Sequence, residues 1–263
     1  MISPRLIFWR ISLLFNFHRV YTSIVNWPRF YLECYGLVSG GYTEIKSRNG
    51  LKYTVRTGTI DLGILDEIVV RKTYFPREIS FKDAKTIVDI GAHIGIFCIT
   101  STKLVSKTCK IIAIEPEENN FKLLQRNIAN NKITTIQLQR GAVWKNSTNR
   151  MMDISLTNNA AHSFFFGKDC GRKQLVQTLT LSDIMKKFDV KRIDILKMDC
   201  EGSEYDILMN CSRALMSKIG SIILEYHKLD NIRNYPNLVK KLSSSGFKTT
   251  VITFPNGLIY ASR

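Results

Sequence analysis

Short apolar runs recur through most of this chain, each followed by a stretch with helical spacing. Thr86-Ile87-Val88-Asp89-Ile90, Lys110-Ile111-Ile112-Ala113-Ile114-Glu115, Thr134 to Leu138, Val176 to Leu181, Ile193 to Asp199 and Ser221 to His227 read as strands. The runs are nearly continuous rather than alternating, as in parallel strands covered on both faces. Between them, Phe121, Leu124 and Ile128 make a helical stripe, with Pro116 suited to the first helical position and Glu117 and Glu118 to its positive end. Ser182 is the expected N-cap of a helix from Asp183 to Phe188, and further helices are expected through Leu208 and from Pro236 to Leu242. Phe247 to Phe254 and Leu258 to Tyr260, joined around Pro255-Asn256-Gly257, predict a closing hairpin. Alternating strands and helices imply an open α/β sheet with a ligand crevice at the strands' carboxyl ends.

Residues 1–80 follow a different pattern and read as an N-terminal cap on a main domain of residues 81–263. Leu51 to Arg56 alternates as a half-exposed strand does, and Asp61 to Val70 is helix-like, with Leu62, Leu65, Ile68 and Val69 on one side. Residues 5–27 are rich in aliphatic and aromatic side chains, but Arg10, Asn16, His18 and Arg19 interrupt them, so no run suits a membrane-spanning helix. A secretory signal is not expected, because no small-residue cleavage pattern follows a clean apolar region. The stretch reads as a helix packed on the domain or a partner chain, with an interfacial helix at a membrane surface as the alternative.

With 263 residues, 44% of them hydrophobic, the chain can bury one substantial core. A formal charge of +16 brings polyanions into view as partners, but the excess is diffuse and without a dense Lys/Arg run. It reads mainly as a solvated basic surface, with RNA or an anionic membrane as the minority reading. None of Cys34, Cys98, Cys109, Cys170, Cys200 and Cys211 forms a C-x-x-C pair, which argues against zinc and for reduced thiols in a cytoplasmic protein. Only Cys200, by its neighbours, is a candidate for chemistry.

The stretch around Asp89 organises the rest. An acid, Gly91, and Gly95 four residues later turn a buried strand into a helix, where glycine admits positive φ and close approach of a ligand to the backbone. Glu115 closes the second strand twenty residues past Gly95, where an acid can hydrogen-bond both hydroxyls of a ribose. Two ligands share that feature. A dinucleotide would place its pyrophosphate on a G-x-G-x-x-G turn, yet the spacing here is G-x-x-x-G, with the Asp89 carboxylate opposing a phosphate. S-adenosylmethionine carries an ammonium and a sulfonium and no phosphate, so it is the favoured ligand.

Several ordered motifs then carry a resemblance: Val88 to Gly95, Glu115-Pro116 with Asn120-Phe121 and Asn127, Leu179 to Asp183, Lys197 to Glu204, and Leu224-Glu225-Tyr226-His227. From about Tyr53 to Ser262 the chain resembles the FkbM-type S-adenosylmethionine-dependent methyltransferases. The resemblance implies a seven-stranded Rossmann-like, mostly parallel sheet with helices on both faces and a reversed last strand. It also implies O-methylation of a hydroxyl on a sugar, glycan or glycolipid, or secondary metabolite. His93 stands where the family usually has Asn, Ser182 where it often has Asp, and Asn210-Cys211 where Gly-Ala is frequent. The loop from Asn158 to Ser163 lacks a common glycine, a departure that bears on the acceptor.

Donor contacts are expected from Asp89, Gly91, Ala92, His93, Gly95, Glu115, Pro116, Ala142 and Asp199. Gly141, Ala142 and Val143 follow the third strand, where an adenine would lie. Asp199, Glu201 and His227 end adjacent strands and are the catalytic candidates, with Asp199 beside the reacting methyl and His227 as general base. Helix capping by Asp199 and a His227 bonded to Glu225 or backbone are the structural alternatives. Glu201 and Glu204 either bind the acceptor or favour a helix N-terminus. No metal is required, although Asp199, Glu201 and His227 could hold a divalent cation. Lys197 should pair with an acid, and Arg56 and Asp61 should help close the site. An RNA methyltransferase and a non-catalytic docking module remain the competing functions.

Overall fold

In a computed structural model, residues 15–38, 40–155, 162–165, 170–253 and 257–263 are described here. Helices α1 (Phe17–Ser23) and α2 (Trp27–Cys34) precede the antiparallel hairpin β1 (Tyr42–Lys46) and β2 (Lys52–Arg56). A short helix α3 (Asp61–Leu65) continues as a π-helical turn, Asp66–Val70. Then follow β3 (Thr86–Ile90), α4 (Ile96–Ser101), β4 (Lys110–Glu115), α5 (Glu118–Asn130), β5 (Ile136–Arg140), β6 (Ala142–Val143), β7 (Asn149–Ser155) and β8 (Cys170–Leu179). The chain closes with α6 (Leu181–Lys187), β9 (Ile193–Met198), α7 (Ser203–Asn210), α8 (Arg213–Met216), β10 (Ile219–Glu225), α9 (Tyr235–Ser244), β11 (Lys248–Ile252) and β12 (Leu258–Ser262).

The main sheet has seven strands in the order β11-β12-β10-β9-β3-β4-β5. Six of them run in one direction, and β12, the last strand, runs antiparallel to both of its neighbours. Alternate residues feed opposite layers, as the two-residue period of a strand requires. Ile87, Ile111 and Ile195 join a cluster with α4, α5 and the N-terminal elements. Val88, Ile112 and Leu196 join one with α6, α7 and α9. With both faces covered, the central strands contain little but aliphatic residues. A separate three-stranded sheet, β6-β8-β7, has its own small core of Ala142, Met152, Ile154 and Val176.

The N-terminal elements share the first of these clusters, through Val20, Ile24, Phe30, Tyr53 and Val55. Strand β2 also docks its backbone on α5. The buried Asn127 side chain accepts from Thr54 N at 2.8 Å and donates to Thr54 O at 3.1 Å and Ile94 O at 3.0 Å. That docking buries Tyr53, Thr54 and Val55 in succession, so the alternation expected for a half-exposed strand is lost.

Other local expectations also change. Glu117, not a residue after it, caps α5, because its carboxylate accepts from Asn120 N at 2.7 Å; Pro116 therefore lies before the helix. Thr180 rather than Ser182 caps α6, forming a reciprocal capping box with Asp183. The expected helix over residues 5–27 is, in its described part, α1 followed by a break before α2; residues 5–14 lie outside the described residues.

Gly91 marks the tightest contact in the sheet. Its φ is +75°, and a Cβ there would lie 1.8 Å from the Asp199 carbonyl oxygen. Replacing Gly91 by Ala should therefore cost about 2–4 kcal/mol in urea denaturation, through combined strain and clash. An unchanged midpoint would show that the two strand ends can part without loss.

Candidate active site

Parallel strands β3, β4, β9 and β10 end on one edge of the sheet, and their loops enclose a cavity of about 410 Å³. Apolar side chains of residues 60–68 form one wall, notably Ile60, Ile64 and Ile68. Met152 and Phe164 contribute another. The volume lies within the range of small-molecule sites.

The β3 turn and the end of β4 are bonded directly. Backbone N–H groups of Gly91 and Ala92 both donate to Ile114 O at 3.0 Å. His93, at φ 51°, donates its backbone N–H to Glu115 Oε2 at 2.8 Å. Glu115 Oε1 accepts from Glu117 N at 3.0 Å and Asn120 Nδ2 at 3.3 Å. Burial outweighs these bonds and pushes the Glu115 carboxyl up to about 7. Gly91, Ala92, His93, Glu115, Pro116 and Ala142 all line the cavity.

Two expected donor contacts do not line it. Asp89 is fully buried, and its carboxylate faces Lys197 Nζ at 3.2 Å. Its role is therefore beneath the floor of the cavity. Gly95 caps α4 at φ +90°, where a Cβ would meet Leu124 Cδ1 at 2.4 Å, so packing alone calls for a glycine.

Lys197 ties this floor together. It donates to Gly91 O at 2.8 Å and lies 3.8 Å from Asp199 Oδ2. Burial opposes its charge, but Asp89 and Asp199 together raise its pKa above the ordinary value. Burial raises the Asp89 pKa, and Lys197 pulls it back.

Arg56 and Asp61 do meet the site, through His93. The guanidinium binds Asp61 by two bonds of 2.9 Å and reaches His93 Nε2 at 3.1 Å. Although burial works against it, the Arg56 pairing keeps the Asp61 carboxyl below its usual range. Burial pushes His93 down to about 4, so its ring is neutral at neutral pH. Arg56 can only donate, which makes Nε2 the acceptor and leaves the proton on Nδ1. That Nδ1 is buried and has no hydrogen-bond partner among the described residues.

Asp199, Glu201 and His227 converge on the cavity's other side, each offering one ligand atom within 4.8 Å of the others. Glu201 takes φ 51°, an uncommon conformation for a side-chain-bearing residue. Burial raises its carboxyl to about 7, while His227 opposes the shift. His227 lies between two acids, with Nε2 3.4 Å from Glu201 Oε2 and Nδ1 3.1 Å from Glu204 Oε1. Burial would lower its pKa, but the Glu204 bond and both acids raise it to about 10. Taken by itself His227 is thus an imidazolium, a donor rather than the general base expected. Its partner is Glu204, not Glu225.

Glu204 is fully buried and also accepts from Gly202 N at 2.8 Å and His227 N at 2.9 Å, so it positions His227 and does not reach an acceptor. Burial and Glu204 raise the Cys200 thiol well above its usual range, which removes it as a nucleophile.

Two residues of this site were not read as such from the sequence. Tyr74, fully buried, donates to Glu225 and lies 3.5 Å from Asp199 Oδ2. Burial and the nearby Asp199 raise Glu225 to about 8. Its place at the carboxyl end of β10 was a usable signal, of the kind that singled out Asp199. Tyr74 has none, since its partners lie far away in the chain.

A family model for the methyltransferase FkbM domain matches residues 89–249. This chain belongs to the FkbM methyltransferase family. Hexuronic acid methyltransferase AglP of Haloferax volcanii is 26% identical over 166 residues, covering 63% of this chain and 64% of that protein. Methyltransferase 1 of Beauveria bassiana is 24% identical over 194 residues, covering 65% and 75%. The solved structure of methyltransferase FkbM from Methylobacillus flagellatus KT shares the fold, with a TM-score of 0.50 and 20% identity. That match covers 72% of this chain and 46% of the other.

The buried Lys197–Asp89 pair gives a direct stability test. Lys197→Met should cost about 3–5 kcal/mol at pH 7, because it leaves Asp89 buried without its cation. The deficit should shrink as pH falls, because protonation of Asp89 removes the uncompensated charge, and the double variant with Asp89→Leu should recover most of it. A double variant no better than the single one would show that the pair is not the source of the loss.

Proposed function

We propose that this chain transfers a methyl group from S-adenosylmethionine to a hydroxyl of a sugar or a secondary metabolite. The observation that carries the reading is the Glu115 carboxylate, buried on the cavity wall and held by the backbone of His93 and Glu117. It faces the cavity where a ribose diol would donate two hydrogen bonds. The orphaned Nδ1–H of His93 supplies a donor for the carboxylate of the methionine part. Asp199, and Glu201 once a cation draws it into its ionised form, give the cavity the negative charge that suits a sulfonium.

When bound, the donor supplies an electrophilic methyl carbon. The residues opposite it have to align the acceptor oxygen with that carbon and take its proton. The new O–C bond forms as the S–C bond breaks, the electron pair stays on sulfur, and the hydroxyl proton passes to a carboxylate of Asp199 or Glu201. A sugar acceptor is supported by the hexuronic acid methyltransferase relative.

A second feature bears on where the acceptor is met. Among the described residues no helix is long and apolar enough to cross a membrane. Yet Phe17, Tyr21, Trp27 and Tyr31 form an aromatic cluster, and Phe15 and Leu37 in the same segment are exposed. Glu33, the sole acid among residues 15–43, is buried, while Arg19 and Arg29 are exposed. This face suits peripheral contact with an anionic lipid surface, in a protein otherwise read as cytoplasmic.

Calorimetric titration of S-adenosylmethionine tests the donor site. Ribose hydroxyls need an ionised Glu115, and Glu115 protonates below about 7. Affinity should therefore rise about tenfold from pH 6 to pH 8. Glu115→Gln should bind more weakly and lose that pH dependence. A radiolabelled donor offered with hexuronic acids, glycans and RNA then identifies the acceptor class, and no saturable donor binding by folded protein would overturn the reading. For the membrane face, co-sedimentation with vesicles containing anionic phosphatidylserine should exceed that with phosphatidylcholine alone, and Phe17→Ser with Arg19→Ser should reduce it; equal recovery would sink the idea.

A further inference from the structure

We propose that Asp199, Glu201 and His227 form a binding site for one divalent cation, which holds and acidifies the acceptor hydroxyl. The proposal rests on the reading of the cavity as a site of hydroxyl methylation and adds a cofactor to it.

The donors come from two neighbouring strands. Asp199 follows β9 directly, Glu201 lies two residues on, and His227 lies two residues past the end of β10. Because β9 and β10 are parallel and adjacent, both loops open on the same edge of the sheet. One carboxylate oxygen from each acid and a ring nitrogen of His227 lie within 4.8 Å of one another, at the cavity wall. A cation placed among them would have each donor within coordination range after a small adjustment of rotamers.

The imidazole is oriented by a residue outside the donor set. Glu204, fully buried, accepts from both the His227 backbone N–H and Nδ1. A carboxylate on one ring nitrogen fixes the tautomer and aims the other nitrogen's lone pair, the arrangement that metal-ligating histidines use. Nε2 is thereby directed at Glu201 Oε2, 3.4 Å away. A proton between these groups gives an ion pair, and a divalent cation in its place gives a coordination site.

The surrounding charges favour the second arrangement. Asp199, Glu201, Glu204 and Glu225 crowd this side of the cavity. Lys197, the nearby lysine, is already committed to Asp89 and the Gly91 carbonyl below. Two carboxylates with one imidazole suit magnesium- or manganese-type ions better than a site rich in sulfur would. Coordination of the acceptor oxygen would lower its pKa, so the carboxylate oxygen of Asp199 or Glu201 that does not bind the ion suffices to take the proton.

Manganese chloride titrated into the full-length, chelator-treated protein provides the test, read by the electron paramagnetic resonance of free and bound ion. One ion per chain is expected, with nitrogen coupling from a histidine in the bound spectrum. His227→Ala should abolish that coupling and weaken binding at least tenfold, and Glu201→Gln, on the cavity surface, should weaken it by a similar factor. Absence of saturable binding by folded wild-type protein would overturn the proposal, as would binding untouched by both substitutions. Donor calorimetry in the presence of chelator separates the two readings. Donor binding without manganese binding would remove only the cation, whereas manganese binding without donor binding would remove the methyl-transfer reading and, with it, the cation's catalytic role.

Discussion

A single buried ammonium holds the centre of this molecule in place. Lys197 extends from β9 under the β3 turn, pairs with Asp89, donates to the Gly91 carbonyl and lies near Asp199. Desolvating these charges is expensive, and only their mutual attraction and the extra hydrogen bond compensate. The arrangement therefore fixes geometry more than it adds stability. It joins the turn that carries Gly91, Ala92 and His93 to the strand that presents Asp199, so the two sides of the cavity keep one spacing. The absence of a side chain at Gly91 allows the same two strand ends to close to contact.

Around that floor, the cavity is assembled from opposite electrostatic characters. On the β4 side, Glu115 is held by backbone N–H groups, and His93 is neutral, orientated by the Arg56–Asp61 pair. On the β10 side, Glu201 and Glu204 flank one imidazole, and Asp199 and Glu225 meet at Tyr74. Burial raises the Glu115, Glu201 and Glu225 carboxyls toward neutrality, to about 7, 7 and 8. Groups balanced near their ionisation point respond strongly to a cationic ligand, because it shifts them to the charged form. A cavity of this kind is at its most favourable when occupied.

The N-terminal elements take part in the site and are more than a cover. α3 and the π-helical turn supply the apolar wall, and β2 brings Arg56 to His93 while Asn127 fixes its backbone. Tyr74 reaches the Asp199–Glu225 pair from the same region. Their contribution is an apolar wall, through Ile60, Ile64 and Ile68, on one side of the cavity.

Much of this was determined locally and is legible in the sequence. Largely aliphatic runs at Ile87, Ile111, Ile195 and Ile222 mark strands buried on both faces, because a polar residue there lies in a core and needs a partner, as Asp89 and Lys197 have in each other. The Gly91 turn and the acid at Glu115 announce a nucleoside-like ligand, since both requirements act within a few residues of a strand end. Helix starts were less legible: Thr180 caps where Ser182 was expected, and Glu117 caps a helix whose first position was expected at Pro116, because several residues in each stretch can cap and packing selects the register. What only the tertiary structure decided are the roles that depend on distant partners. Asp89 has the composition of a ligand contact but faces Lys197; His227 resembles a base but is clamped by Glu204; Tyr74 has no motif at all. A side chain's type shows what it can do, whereas its charge state and reach depend on neighbours that folding brings from elsewhere in the chain.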